Sequence, residues 1–254
     1  MQTESWPMFS ALFSYPHSIA GLAPGDIHLW CADLNRAAPY LRMLARTLSA
    51  DELARASRFH FETDRTRFIL RRGILRMCLG NYLGVEPSLL RFSYGKNGKP
   101  ALDEPLGKGN IFFNSSHSNG IALYAFTDVG EIGVDIEQIH AIDDLKSIAA
   151  RCFSPTEYQT LVGLPDASKQ EAFFNCWTRK EAFVKAKGLG LTLPLNSFEV
   201  ALAPGEPARL LQVSGNSWEA SCWALCDLQP LSGYVGALAV EGHGLHVARW
   251  QWVG

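Results

Sequence analysis

Between Lys169 and Lys187 the chain carries one helical run whose side-chain pattern constrains what can be built around it. At about 100° per residue, Phe173, Phe174, Trp177 and Val184 form an apolar arc that must be covered by a second layer. Glu181 falls inside that arc, between Trp177 and Phe174; Lys180 also lies within it, and Lys185 stands one turn beyond Glu181. A surface pair spaced i to i+4 would add only about 0.2–0.5 kcal/mol. An acid turned toward a buried face without a partner costs far more than that. The helix therefore needs a cover for its aromatics and a partner for its charges, and it stops at the glycines 188 and 190.

The rest of the chain alternates short strands with helices in no regular order. "DIHLWCADL" (26–34) reads as a strand, and a long helical region follows with Ser49 and Glu52 placed as a capping box. That region runs to Gly84, is too long for one helix, and is expected to break between His60 and Asp64. "LLRFSYGKNGKPAL" reads as a strand entering a Gly-rich turn, and "NIFFNSSHSNGIALYAFT" as two strands joined by a polar loop at 114–120. "EIGVDIEQI" (131–139) is a further strand. Ser154, Pro155 and Glu157 mark another helix start. "SFEVAL", "SWEASCWALCDL", "GYVGALAV" and "HVARWQWV" read as closing strands separated by Pro and Gly turns. Hairpin-like strands without regular helix interleaving predict an α+β fold with antiparallel sheets. No long linker interrupts the 254 residues; "FTDVGE" (126–131) is the most plausible midpoint, giving two intimately packed halves, 1–128 and 129–254.

Composition excludes several classes. A hydrophobic share of 47% and a charged share of 19% are those of a globular protein, and no apolar run reaches the roughly 18 residues of a membrane span. A net charge of -2 supplies no basic field for nucleic acid, so an anionic ligand needs a local cluster. The six cysteines form no CxxC pair and the histidines no HExxH pattern, which argues against a zinc site. The first residues, with Glu4, Pro7 and Pro16, fit no secretory signal. A cytoplasmic protein with reduced thiols is expected.

Four stretches could carry chemistry. In "GVDIEQI", Asp135 and Glu137 project from one face of a strand and repel each other unless a cation lies between them. Magnesium, which takes one or two carboxylates and completes its shell with water and phosphates, suits such a pair; an exposed polar strand face is the alternative. On the helix, Glu181 and Lys185 form the second set. In "NSSHSNG", His117 sits among hydroxyls and amides that could hold a phosphate, or simply form a polar turn. The cluster Arg55, Arg58, Arg65, Arg67, Arg71, Arg72 and Arg76 could bind phosphates bidentately, or line a solvated helix face. "YGKNGKP" lacks the spacing of a P-loop.

In order and spacing, "GKNGKPAL" (95–102), "FNSSHSNG" (113–120), "IGVDIEQI" (132–139), "FSPTEYQTL" (153–161) and "WTRKEAFVKAKGLGL" (177–191) resemble the 4'-phosphopantetheinyl transferase superfamily, in its larger Sfp-like branch. The resemblance is close over residues 95–195 and looser over the arginine-rich helix. It implies a monomer of two similar α+β halves with coenzyme A in the cleft between them. The implied reaction moves the 4'-phosphopantetheine arm of coenzyme A to a serine of an apo acyl or peptidyl carrier protein, releasing adenosine 3',5'-bisphosphate.

Carried over by position, Asp135, Glu137 and Glu181 resemble ligands of magnesium, for which manganese is a possible substitute. His117 and Ser116 resemble contacts to the coenzyme's phosphates, Lys99 and Pro100 the adenine-side loop, Lys185 the pyrophosphate lysine, and Arg67 and Arg55 the 3'-phosphate grip. Glu52 stands where the family has a further basic residue, so other arginines are expected to share that grip. Serine is a poor nucleophile at neutral pH, and Glu181 is the candidate base, directly or through a water, with Lys185 stabilising the leaving bisphosphate. A glutamate between Trp177 and Phe174 is expected to have a raised pKa. A magnesium-dependent nucleotide phosphodiesterase or pyrophosphatase, and a noncatalytic coenzyme A or carrier-binding module, are the alternatives. Residues 151–158 or the arginine-rich helix could receive an acidic carrier.

Overall fold

The computed structural model describes residues 21–103, 111–244 and 246–253. β1 (Asp26–Asp33) leads through α1 (Leu41–Ala45), α2 (Ala50–Ala56) and α3 (Glu62–Leu83) to the small hairpin β2 (Phe92–Tyr94) and β3 (Pro100–Leu102). β4 (Phe112–Ser118), β5 (Ile121–Thr127) and β6 (Ile132–Gln138) follow in succession, then α4 (Leu145–Cys152), α5 (Pro155–Gly163) and α6 (Asp166–Lys187). The remainder forms β7 (Phe198–Val200), β8 (Leu210–Val213), α7 (Ser217–Ala220), β9 (Trp223–Leu228), β10 (Tyr234–Glu241) and β11 (His246–Trp252).

Two sheets stack with helices outside them. The first has strand order β11-β1-β5-β4 and the second β6-β10-β9. Their facing sides, which include Leu29, Leu123, Val134, Ile136 and Leu238, share one apolar cluster. On the outer side of the first sheet, Trp30, Ala122 and Tyr124 pack with Leu70 and Ile74 of α3. On the outer side of the second, Ala237 and Ala239 pack with Phe183 and Ala186 of α6. A strand covered on both faces has no need of polar alternation, and every residue of β5 is buried.

Three expectations need correction. All strand pairs of these sheets are antiparallel except β1 with β11, which run parallel in register from Asp26↔His246. The final strand thus joins the sheet that opens the chain, because Trp250 and Trp252 complete the aromatic cover over Trp30 and Tyr40. "SWEASCWALCDL" is not one strand: the Asn216 side chain accepts from the N–H groups of Trp218 and Glu219 and starts α7 before β9 begins. Residues 114–118 are not loop but the body of β4, and only Asn119 and Gly120, at φ 37° and 87°, turn the chain into β5.

The helix signals hold. Ser154 and Glu157 close a reciprocal capping box, as do Ser49 and Glu52, and the helical region breaks between Ala56 and Glu62. α6 ends at Gly188 in the left-handed region, at φ 66°. No helix among the described residues is long and apolar enough to cross a membrane.

Candidate active site

The edge strands β4 and β6 meet under α6, and polar side chains stitch them together. Alternation along β4 turns Asn114, Ser116 and Ser118 toward β6. Asn114 accepts from the Val134 N–H at 3.1 Å, Ser116 Oγ donates to Asp135 Oδ1 at 2.8 Å, and Ser118 Oγ donates to Glu137 Oε2 at 2.9 Å. Asp135 and Glu137 share the face of β6 turned to α6, as their spacing predicts, while Val134 and Ile136 enter the inter-sheet core. α6 comes this close only because residue 133 is glycine. A Cβ there would lie 2.0 Å from the Ala182 carbonyl and 2.3 Å from the Ala186 nitrogen.

That approach places Lys185 Nζ 2.6 Å from Asp135 Oδ1 and 2.8 Å from Ser116 Oγ. Asp135 is buried, and its second oxygen, Oδ2, has no hydrogen-bond partner among the described residues. Glu181 has its pKa raised, by burial first and then by Asp135 and Glu137, with Lys185 opposing. Glu137 is raised by burial and by Asp135, against the Ser118 hydrogen bond. The three carboxylates therefore sense one another, with Lys185 the one ammonium among the described residues that acts on both glutamates.

The residues fit a divalent cation. Asp135 Oδ2 is an orphaned buried acceptor, the donor set is hard carboxylate oxygen, and the three acids exceed the one ammonium by two charges. Among the described residues no three acidic, His or Cys side chains are already drawn together for a metal. Lys185 occupies Asp135 Oδ1.

A cavity of about 450 Å³ opens beside this cluster, with Glu181, Lys185, Lys99 and Pro100 on its walls and Val184, Leu193 and Pro194 as its apolar side. A second, of about 300 Å³, adjoins it at Gly98, Pro100 and Ser115 and is lined by Arg55, Arg71 and Arg72. His117, on the opposite face of β4 from Ser116, accepts a 2.7 Å hydrogen bond at Nδ1 from Arg71 Nη1. Arginine can only donate, so Nε2 carries the ring proton. Burial, then Arg71, Lys185 and Arg67, hold the His117 pKa down at about 4. Arg67 lies against the turn at Gly120. Arg71 Nε is buried without a partner among the described residues.

Several of the expected residues have partners within the protein. Ser116, expected beside His117 at the phosphates, is buried on the carboxylate side, where it donates to Asp135 and accepts from Lys185. The Lys99 ammonium is held by Glu131 and two carbonyls. Glu52 is buried between Arg72 and Arg76 and ties α2 to α3, so of the cluster Arg72 and Arg76 carry a structural charge. Lys180 does not face the cleft: fully buried, it pairs with Glu157 at 2.7 Å and donates to the carbonyls of Leu195 and Phe198. Arg71 was visible in the sequence only as one of seven arginines; its contact to His117, 46 residues away, depends on the register of β4.

Fold and site together describe an α+β enzyme with an arginine-lined pocket beside a set of carboxylates. Residues 131–239 match the family model of the 4'-phosphopantetheinyl transferase superfamily, and residues 36–127 that of the 4'-phosphopantetheinyl transferase N-terminal region. The chain is 44% identical over 231 residues to 4'-phosphopantetheinyl transferase HetI of Nostoc sp., covering 91% of this chain and 94% of that protein. It is 35% identical over 156 residues to 4'-phosphopantetheinyl transferase Sfp of Bacillus subtilis, covering 61% and 66%. A putative 4'-phosphopantetheinyl transferase of Synechocystis sp. is 33% identical over 80% of this chain and 79% of its own.

The chain belongs to the 4'-phosphopantetheinyl transferase superfamily, in its Sfp-like branch. It is a transferase with coenzyme A as substrate and a carrier protein as acceptor. The hydrolase and noncatalytic-module readings find no support in these relatives.

Proposed function

We propose that the cleft between residues 1–128 and 129–254 binds coenzyme A with its pyrophosphate over the carboxylate cluster and its 3'-phosphate in the arginine pocket. The observation that carries this reading is the buried Asp135 Oδ2, without a hydrogen-bond partner among the described residues, near enough to Glu137 and Glu181 to raise the pKa of both. Asp135, Glu137 and Glu181 would hold magnesium, or manganese in its place; the cation would supply charge neutralisation on the pyrophosphate. Lys185 turns from Asp135 to a pyrophosphate oxygen and holds the leaving bisphosphate. His117 donates its Nε2 proton to a phosphate oxygen, and Arg55, Arg67 and Arg71 grip the 3'-phosphate, Arg71 with its free Nε. Pro100 packs on the adenine side.

Glu181 accepts the proton of the carrier serine, directly or through one water, and its raised pKa suits the task. The serine oxygen bonds to the phosphorus that bears the pantetheine arm, and the bond from that phosphorus to the bridging oxygen breaks. The products are the holo carrier and adenosine 3',5'-bisphosphate. The protein acts as a cytoplasmic monomer on fatty-acid, polyketide or nonribosomal-peptide carriers. The test is to incubate it with magnesium, coenzyme A and several apo carriers and to weigh each carrier. One added phosphopantetheine is expected; no gain on any carrier sinks the reading.

A further inference from the structure

The loop between β2 and β3 is held by the far half of the molecule. Within the loop, the Gly95 N–H donates to the Lys99 carbonyl at 3.0 Å and the Gly98 N–H to the Gly95 carbonyl at 2.8 Å, so it is a closed turn. Across the cleft, Asn97 Nδ2 donates to the Gly188 carbonyl at 3.1 Å, just past the end of α6. Lys99 Nζ reaches Glu131 Oε2 at 2.5 Å, the Ala186 carbonyl at 2.8 Å and the Ile132 carbonyl at 3.2 Å. An ammonium has three N–H donors, and all three are used. Ala186 is in the last turn of α6, where carbonyls lack helical partners and a cation is favoured.

We infer that Lys99 is a positioning residue for coenzyme A and that Glu131, which does not line the cavity, belongs to the same apparatus. Together with Asn97 they clasp the β2–β3 loop to the start of β6 and the end of α6, the two elements that carry Asp135, Glu181 and Lys185. The clasp sets the cavity wall at Pro100 against the carboxylate cluster without touching the substrate's phosphates. This rests on the reading that the cavity takes coenzyme A.

The experiment compares Glu131→Gln, Lys99→Gln and the double variant in the full chain. It measures coenzyme A Kd by calorimetry, KM and kcat with an apo carrier, and deuterium exchange at residues 95–99. Each single variant is expected to raise Kd and KM about threefold, to keep kcat within about twofold, and to speed exchange in the loop. The double variant is expected to be no weaker than Lys99→Gln alone, because both substitutions open one clasp. A silent Glu131→Gln beside a weakened Lys99→Gln would mean direct contact of Lys99 with the coenzyme and would overturn the inference. Unchanged exchange in all three variants would overturn it too. Absence of transfer to every carrier would count against the proposed function alone, since Kd and exchange are read without reaction.

Discussion

Consecutive residues of α6 serve two regions of opposite character. On the closed side, Arg179 pairs with Asp227 at 2.9 Å and donates to the carbonyls of Ala201 and Glu206, while Lys180 meets Glu157 and two carbonyls. Glu157 in turn accepts from the N–H groups of Ser154 and Val200. Each of these charges has a partner, and the set locks α5, α6 and β7 together. On the cleft side, Glu181, Glu137 and Asp135 share one lysine, and a buried oxygen is left over. The contrast teaches that burial alone does not separate structural charge from functional charge; complete satisfaction does.

The comparison breaks first at Lys180. Lys180→Met leaves Glu157 buried and unpaired, and should cost about 3–5 kcal/mol, or on the order of 10 °C in Tm for a chain of this size. Transfer by the fraction that stays folded should survive. A near-native Tm, measured by calorimetry, would place Lys180 with the functional set instead.

The cleft side should respond to cation and pH. Glu181 and Glu137 have raised pKa values, so their ionisation costs the free protein stability. That contribution is most favourable below the ordinary glutamate range and is lost as pH rises through the raised values. Magnesium needs the ionised forms and relieves the cost. At about pH 8, magnesium at 100 times its Kd should add roughly 2.7 kcal/mol, and the same magnesium concentration at about pH 5, where Kd is higher, clearly less. Equal Tm gains at both pH values would count against the carboxylate assignment.

Much of this division was legible from local pattern. The two-residue spacing of Asp135 and Glu137 put them on one face, the capping boxes gave the helix starts, and the glycines after Lys187 gave the end of α6. What was not legible depends on long-range partners. Lys180 and Glu181 lie side by side on the same arc, and only Glu157, 23 residues earlier, distinguishes them. Residues 114–118 look like loop because polarity on a strand usually means solvent, whereas here the polar face of β4 meets the edge of β6. The parallel place of β11 depends on tryptophans completing a cluster 220 residues upstream, as the pairing of Trp30 with Trp250 shows.

The most direct test is the mass of an apo carrier after incubation with coenzyme A, magnesium and the Glu181→Gln variant, whose Tm is recorded alongside. Removing one charge from a crowded acidic cluster should leave Tm unchanged or higher, while transfer falls by at least about 100-fold. Carrier conversion at the native rate by Glu181→Gln, or loss of its fold, would contradict the assignment of that face of α6 to catalysis.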